Sequence, residues 1–145
     1  MTFSDCTKFA MENPACSVAT VDGDQPRVRI FMMWSANDGG FYLCTGTPKA
    51  VCQQVKANPK MELCFYKPNP DPMALGIMMR VAGSAEFVDD VALKTELLNE
   101  WPFLSAMGIS GPEDPMLSLM RVPSGEIKYW TSSADMREMV EVVKF

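Results

Sequence analysis

Histidine is absent from this chain of 145 residues. Without an imidazole there is no Ser-His-Asp triad, no Cys-His pair, no H-E-x-x-H zinc site and no His-ligated haem. An enzyme made from what remains takes its hard chemistry from a cofactor. Paired cysteines are lacking as well. The five that occur (Cys6, Cys16, Cys44, Cys52 and Cys64) are odd in number and form no C-x-x-C, which speaks against a disulfide framework and against a metal site. Free thiols at apolar positions act as small hydrophobes, and a reducing cytoplasm is their expected setting. No apolar run approaches the ~18 residues of a membrane span. The opening "MTFSDCTKF" has no basic stretch followed by an apolar one, so no signal peptide is expected. Neither G-x-G-x-x-G nor G-x-x-x-x-G-K-[ST] occurs, which removes two glycine-rich nucleotide loops.

The length suits one domain spanning 1–145, and 48% hydrophobic with 21% charged residues is ordinary for a globular core. The 13 methionines are many. Methionine fills irregular gaps, so it fits a core or a broad apolar binding site. The net charge of −5 is unevenly spread. Residues 27–67 hold six basic side chains and only two acidic ones, Asp38 and Glu62. A local basic stretch in an acidic chain suits a small anionic ligand, whereas a nucleic-acid surface is usually basic over a whole face.

Along the chain, residues 2–13 read as a helix capped by Thr2 or Ser4 and stopped at Asn13-Pro14. Residues 15–21, 27–35 and 41–45 read as a meander of strands joined by the turns "DGDQP" and "ANDGG". Period-two alternation puts Arg27, Arg29, Phe31 and Met33 on one face and Val28, Ile30, Met32 and Trp34 on the other. A helix follows Thr47, then strands at 60–66 and 74–89, a helix at 90–101, a loop at 102–115 and a strand pair at 116–122 and 126–131. Roughly seven short strands with helices at their margins predict an antiparallel barrel rather than alternating β-α-β units.

The turn "TGTPKAV" carries the chemistry. Thr47 is a good N-cap and Pro48 suits a first helical position, which places Lys49 in the first turn. A cation there opposes the helix dipole, and an anion seated on the helix start reverses that sign. The ligand set would be free backbone N–H groups, the hydroxyl of Thr45 or Thr47, and the Lys49 ammonium. Arg29 lies on the preceding strand, and strand pairing would bring its donor fork to the same place.

With these residues in view, "ATVDGDQPRVRIFMMW", "GGFYLCTGTPKAVCQQVKANPKMELCFY", "MMRVAGSAEF" and "EIKYW" resemble, in order and spacing, the pyridoxamine 5′-phosphate oxidase-like, FMN-binding split-barrel proteins. The resemblance covers nearly the whole chain. It implies an antiparallel split β-barrel with flanking helices, and a homodimer with FMN in the subunit interface. It implies that Arg29, Ile30, Phe31, Met32 and Trp34 line the flavin, with Arg29 on its phosphate. Tyr42 and Leu43 would touch the ring or ribityl chain, Thr47, Pro48 and Lys49 would form the phosphate turn, and Trp130 would approach the ring from the partner subunit. The implied activity is that of a cytoplasmic FMN-dependent oxidoreductase acting on a small organic molecule, with no metal, nucleic acid or membrane involved. Related split barrels bind the deazaflavin F420, and a flavin-binding or electron-carrying module without turnover is a further alternative. Two departures stand out. The oxidases usually have Ser-Arg-Lys at Thr47-Pro48-Lys49, and their C-terminal segment is rich in Arg and His, whereas "TSSADMREMVEVVKF" has one Arg and no His. These departures leave FMN standing and point away from pyridoxamine phosphate as the substrate.

Overall fold

The computed structural model describes residues 1–130 and 140–145. The chain opens with α1 (Phe3–Glu12), capped by Thr2. Asp5 N donates to Thr2 Oγ1 at 3.2 Å and Thr2 N donates to Asp5 Oδ2 at 2.8 Å, a reciprocal capping box. Nine antiparallel strands follow: β1 (Ala15–Asp22), β2 (Gln25–Asn37), β3 (Gly40–Gly46), β4 (Lys60–Lys67), β5 (Ile77–Ser84), β6 (Glu86–Phe87), β7 (Leu117–Val122), β8 (Gly125–Trp130) and β9 (Val140–Lys144). Between them lie α2 (Ala50–Ala57), α3 (Val91–Glu100) and α4 (Phe103–Ala106).

The sheet order is β6-β7-β3-β2-β1-β4-β5-β8-β9. Consecutive β5 and β6 therefore serve opposite flanks of the sheet, which forces it to curl into the expected split barrel. The run expected as one strand at 74–89 breaks at Ala85. That residue is buried, and its N–H donates to Pro59 O at 2.8 Å, one step beyond the last β4–β5 pair, Lys60↔Ser84. Two elements escaped the sequence reading: β9, and α4 within the stretch expected to be a loop. β8 is described as far as Trp130, and the expected last residue of that strand, Thr131, lies with the rest of 131–139 outside the described residues.

Alternation fills the barrel. Val18, Phe41, Leu43, Leu63, Phe65, Met79, Val81 and Ile127 are all fully enclosed. α1 adds Cys6, Phe9 and Ala10 to this core, and α2 adds Val51, Cys52 and Val55. A second cluster forms on the outer side of β3 and β7, where Trp34, Tyr42, Leu117 and Leu119 meet Leu97 of α3. Trp34 reaches it through a bulge. The β2–β3 register steps from Met33↔Leu43 to Ser35↔Tyr42, so Trp34 has no partner on β3.

Candidate functional site

The site lies where the two halves of β2 part company. Up to Met32, β2 pairs with β1; from Met33 onward it pairs with β3. Beyond Leu43, β3 pairs only with β7. The edges of β2 before Met33 and of β3 after Leu43 therefore diverge. The cleft between them holds a cavity of about 680 Å3, bounded by residues 29–32, residues 44–46, the start of α2, and a third wall drawn from residues 101–117. Such a volume suits a small organic ligand. Met33 N donates to Pro14 O at 2.8 Å, on the β1 side. Strand alternation then turns the amides of Ile30 and Met32 the other way, toward the cleft.

The polar end of the cleft is cationic. Arg29 Nη1 donates to Thr20 Oγ1 at 2.6 Å and to Val18 O at 3.3 Å, and Nη2 donates to Gln54 Oε1 at 2.5 Å. Thr20 in turn donates to the same Gln54 oxygen at 2.6 Å. These neutral acceptors orient the guanidinium but leave its charge uncompensated, since no carboxylate pairs with Arg29 among the described residues. Burial, with the nearby Arg27 charge, holds the Arg29 pKa below the ordinary arginine value. A half-buried cation with no counter-ion is a place that favours an anion.

Three further residues line the same cavity. Thr45 is 8% exposed, and its shielded Oγ1 has no hydrogen-bond partner among the described residues. Lys49 lines it too and is the N-cap of α2, with no side-chain cap bond and no acid in the first turn to complement the dipole. Its stem folds back over Gly46, with Cε 4.0 Å from where a Cβ on that glycine would lie. Cys44 shares this corner. Burial pushes its thiol up to about 11, and the Lys49 charge pulls the other way. One cleft thus holds a planar donor fork, an ammonium and the bare start of a helix, each suited to an anion. A second hollow of about 630 Å3 at the far end of the sheet carries Lys60 and Glu62, of opposite charge, and none of the residues expected at the site.

The sequence profile of the pyridoxamine 5′-phosphate oxidase family matches residues 5–131. The chain belongs to the pyridoxamine 5′-phosphate oxidase family. Members of this family are generally flavin-binding oxidoreductases. The pyridoxine/pyridoxamine 5′-phosphate oxidase of Pseudomonas putida (strain W619) is 34% identical over 90 residues, which is 59% of this chain and 40% of that protein. The match thus spans well under half of that relative. Among solved structures, General Stress Protein 26 from Bacillus anthracis superposes with a TM-score of 0.75 at 18% identity, covering 99% of this chain and 98% of that one. A NimC/NimA family protein from Clostridium acetobutylicum gives a TM-score of 0.73 at 24% identity, covering 97% and 91%. Both likenesses are of fold.

The structure distributes the expected site residues unevenly. Arg29, Ile30, Phe31, Met32 and Lys49 all line the cleft. Thr47 does not cap α2. The helix begins at Ala50, because the β3–β7 ladder runs on to Gly46↔Leu117 and ties Thr47 down first. Thr47 N donates to Met116 O at 3.0 Å and its hydroxyl to Pro115 O at 2.7 Å, so that hydroxyl's proton is already engaged. Of the two candidate threonines, Thr45 is the one that lines the cavity. Pro48 is exposed in the turn ahead of the helix rather than at its first position. Tyr42 and Leu43 are buried away from the cavity: Leu43 is in the barrel core, and Tyr42 packs edge-on to Trp34 with ring centroids 5.9 Å apart. Trp34 points to the same outer cluster and its Nε1 donates to Glu100 Oε2 at 2.8 Å. Trp130 stands on the outer face of the sheet beneath Arg80, whose guanidinium carbon is 4.3 Å from the ring centroid.

Sequence reasoning missed two contributors. Thr20 and Gln54, from β1 and α2, hold Arg29 in place, and no local motif signals a contact across that separation. The third wall, from Trp101 to Leu117, lies in a stretch whose helical spacing indicated core packing and whose remainder indicated a loop.

Proposed function

We propose that residues 1–145 act as one FMN-binding domain, with the cofactor phosphate on Arg29, Thr45, Lys49 and the start of α2, and that the protein is an oxidoreductase for a small organic molecule. The observation that carries this reading is the uncompensated Arg29 in the same cleft as Lys49 and the uncapped start of α2, in a chain of a flavin-binding family. FMN would supply the electron-transfer chemistry that a chain without histidine lacks. The protein's part is to fix the phosphate end, to offer the amides of Ile30 and Met32 along the cleft edge, and to exclude water with the wall at 101–117.

The working form we propose is a homodimer. Val28, Ile30 and Met32 are 65%, 71% and 55% exposed and form an apolar stripe on one face of β2. Ser17 on β1 lies opposite Ile30, Cys64 on β4 opposite Ser17, Arg80 on β5 opposite Cys64, and Met78↔Trp130 extends the same face onto β8. The apolar stripe of Val28, Ile30 and Met32 on this mixed face supports an interface, and a second copy would bring its Trp130 toward the ring. The five free cysteines favour a reducing cytoplasm, and the net charge of −5 favours a small ligand over nucleic acid.

The test is a titration of flavin-free protein with FMN and with riboflavin, read by quenching of flavin fluorescence. Arg29→Ala and Lys49→Ala should each weaken FMN by ~1.5–3 kcal/mol, roughly tenfold or more, because each removes a charged contact. Riboflavin, which has no phosphate, should bind the wild type and both variants alike. Wild-type protein that ignores FMN, or variants that lose both flavins equally, would sink the phosphate assignment.

A further inference from the structure

The cleft has two chemically different ends, and the phosphate accounts for only one. Among the described residues its only charged side chains are Arg29 and Lys49, both in the corner assigned above to the FMN phosphate. The opposite wall is Trp101, Phe103, Leu104, Met107, Ile109 and Met116, without a charged, amide or hydroxyl side chain. Loop residues facing solvent are seldom so apolar. Phe103, Met107 and Met116 are 52%, 76% and 50% exposed, and Trp101 and Phe103 stand as a tilted pair with ring centroids 5.5 Å apart. Such a wall offers aromatic faces and polarizable sulfur, which favour a flat apolar partner.

Resting on that reading of the phosphate corner, we propose that the substrate is an uncharged, planar aromatic compound, held against Trp101, Phe103 and Met107. Once Arg29 and Lys49 hold the cofactor phosphate, the described lining has no second cation for a phosphorylated or carboxylated substrate and no carboxylate for an amine. Bringing an unpaired charge against this wall would strip its water with nothing in exchange. A neutral ring loses little solvation on entry and covers apolar surface that is otherwise wet. The selectivity is thus against charge as much as for shape.

The experiment uses 2-naphthol and 2-naphthyl phosphate, the same ring without and with a dianion, titrated by calorimetry into FMN-loaded protein. The expected result is at least tenfold tighter binding of 2-naphthol. The double variant Phe103→Ala/Met107→Ser should weaken 2-naphthol at least tenfold while its FMN affinity and melting temperature stay at wild-type values. Both side chains are mostly exposed, so the fold does not depend on them. Equal or tighter binding of the phosphate ester, no binding of 2-naphthol, or binding indifferent to the double substitution each overturns the proposal. If FMN itself fails to bind, the flavin reading falls separately. The 2-naphthol titration, repeated in inorganic phosphate to fill the cationic corner, still decides whether the wall at 101–109 takes a neutral ring.

Discussion

Thr45→Val should move stability and cofactor affinity in opposite directions. The Thr45 hydroxyl is buried and makes no hydrogen bond within the protein. A buried, unpartnered hydroxyl costs about 1–3 kcal/mol relative to an apolar group of the same shape. Valine replaces the hydroxyl by a methyl at nearly constant volume, on a strand that accepts β-branched residues. Flavin-free Thr45→Val should therefore be more stable by about 1–3 kcal/mol, and at ~3 °C per kcal/mol for a domain of this size its Tm should rise by roughly 3–9 °C. With FMN the sign reverses. The wild-type hydroxyl gains a charged acceptor, and losing that bond should weaken binding by ~1.5–3 kcal/mol, about tenfold to over a hundredfold. Circular dichroism melts of flavin-free protein and a fluorescence titration with FMN measure both. A variant that melts at or below wild type without FMN would mean that the hydroxyl is satisfied after all. One that gains stability yet binds FMN unchanged would take Thr45 out of the site.

Val28→Glu, on the exposed apolar stripe and outside the cleft lining, should give a monomer by sedimentation velocity with the fold retained by circular dichroism; a dimer of wild-type strength would place the interface elsewhere. Cys6, Cys16 and Cys44 are held protonated by burial, with thiols pushed up to about 11, 12 and 11 from an ordinary 9.0. Their contribution to stability is complete below that ordinary value and is lost as pH rises through the raised ones, so the urea midpoint should fall from pH 9 toward 11. Cys16→Ala should make that fall shallower, and an unchanged slope would show that other groups drive it. Gly40 and Gly23 both have positive φ, +114° and +64°, but a Cβ at Gly40 would run into the Val122 carbonyl while Gly23 faces open space. Gly23→Ala should cost about 1 kcal/mol by urea denaturation and Gly40→Ala about 3 kcal/mol or more; similar losses would refute the steric argument.

Much of this fold is written in local pattern. Alternation along 27–33 correctly puts Arg29 and Phe31 on one face and Val28, Ile30 and Met32 on the other, because each side of a β2 strand meets a different medium. What local pattern could not show is where the strand changes partners. The bulge at Trp34 sends that side chain to the outer cluster, off the face it would share with Ile30 and Met32 by alternation and away from the flavin contact that the family resemblance implied. Thr47 failed for a related reason. Its sequence context is a good N-cap, but the ladder from β3 to β7 holds it against Pro115 and Met116, and two residues, Pro48 and Lys49, intervene before the helix. Tyr42 and Leu43 belong to a strand sandwiched between two apolar clusters, so neither side chain faces the cleft. For Trp34 and Thr47 a long-range constraint overrode a sound local preference, whereas the places expected for Tyr42 and Leu43 came from the family resemblance alone.

The same partner change explains why the site sits where it does. A closed barrel would satisfy the edges of β2 and β3 with each other along their whole length. Here β2 gives its first half to β1 and its second to β3, so the free edges at Ile30 and Met32 and beyond Leu43 open together. The first helix after the split, α2, starts in that opening without an acid or a side-chain cap. Without a ligand the corner carries three separate liabilities: a guanidinium with no counter-ion, a buried hydroxyl with no partner, and helix N–H groups beside a cation rather than an anion. A single phosphate dianion relieves all three, since it accepts hydrogen bonds and carries the charge each of them lacks. The proposed FMN phosphate would answer all three at once. It also carries a constraint for mutagenesis, because repairing any one defect with protein atoms, as Thr45→Val does, should stabilise the empty fold and weaken its hold on the ligand.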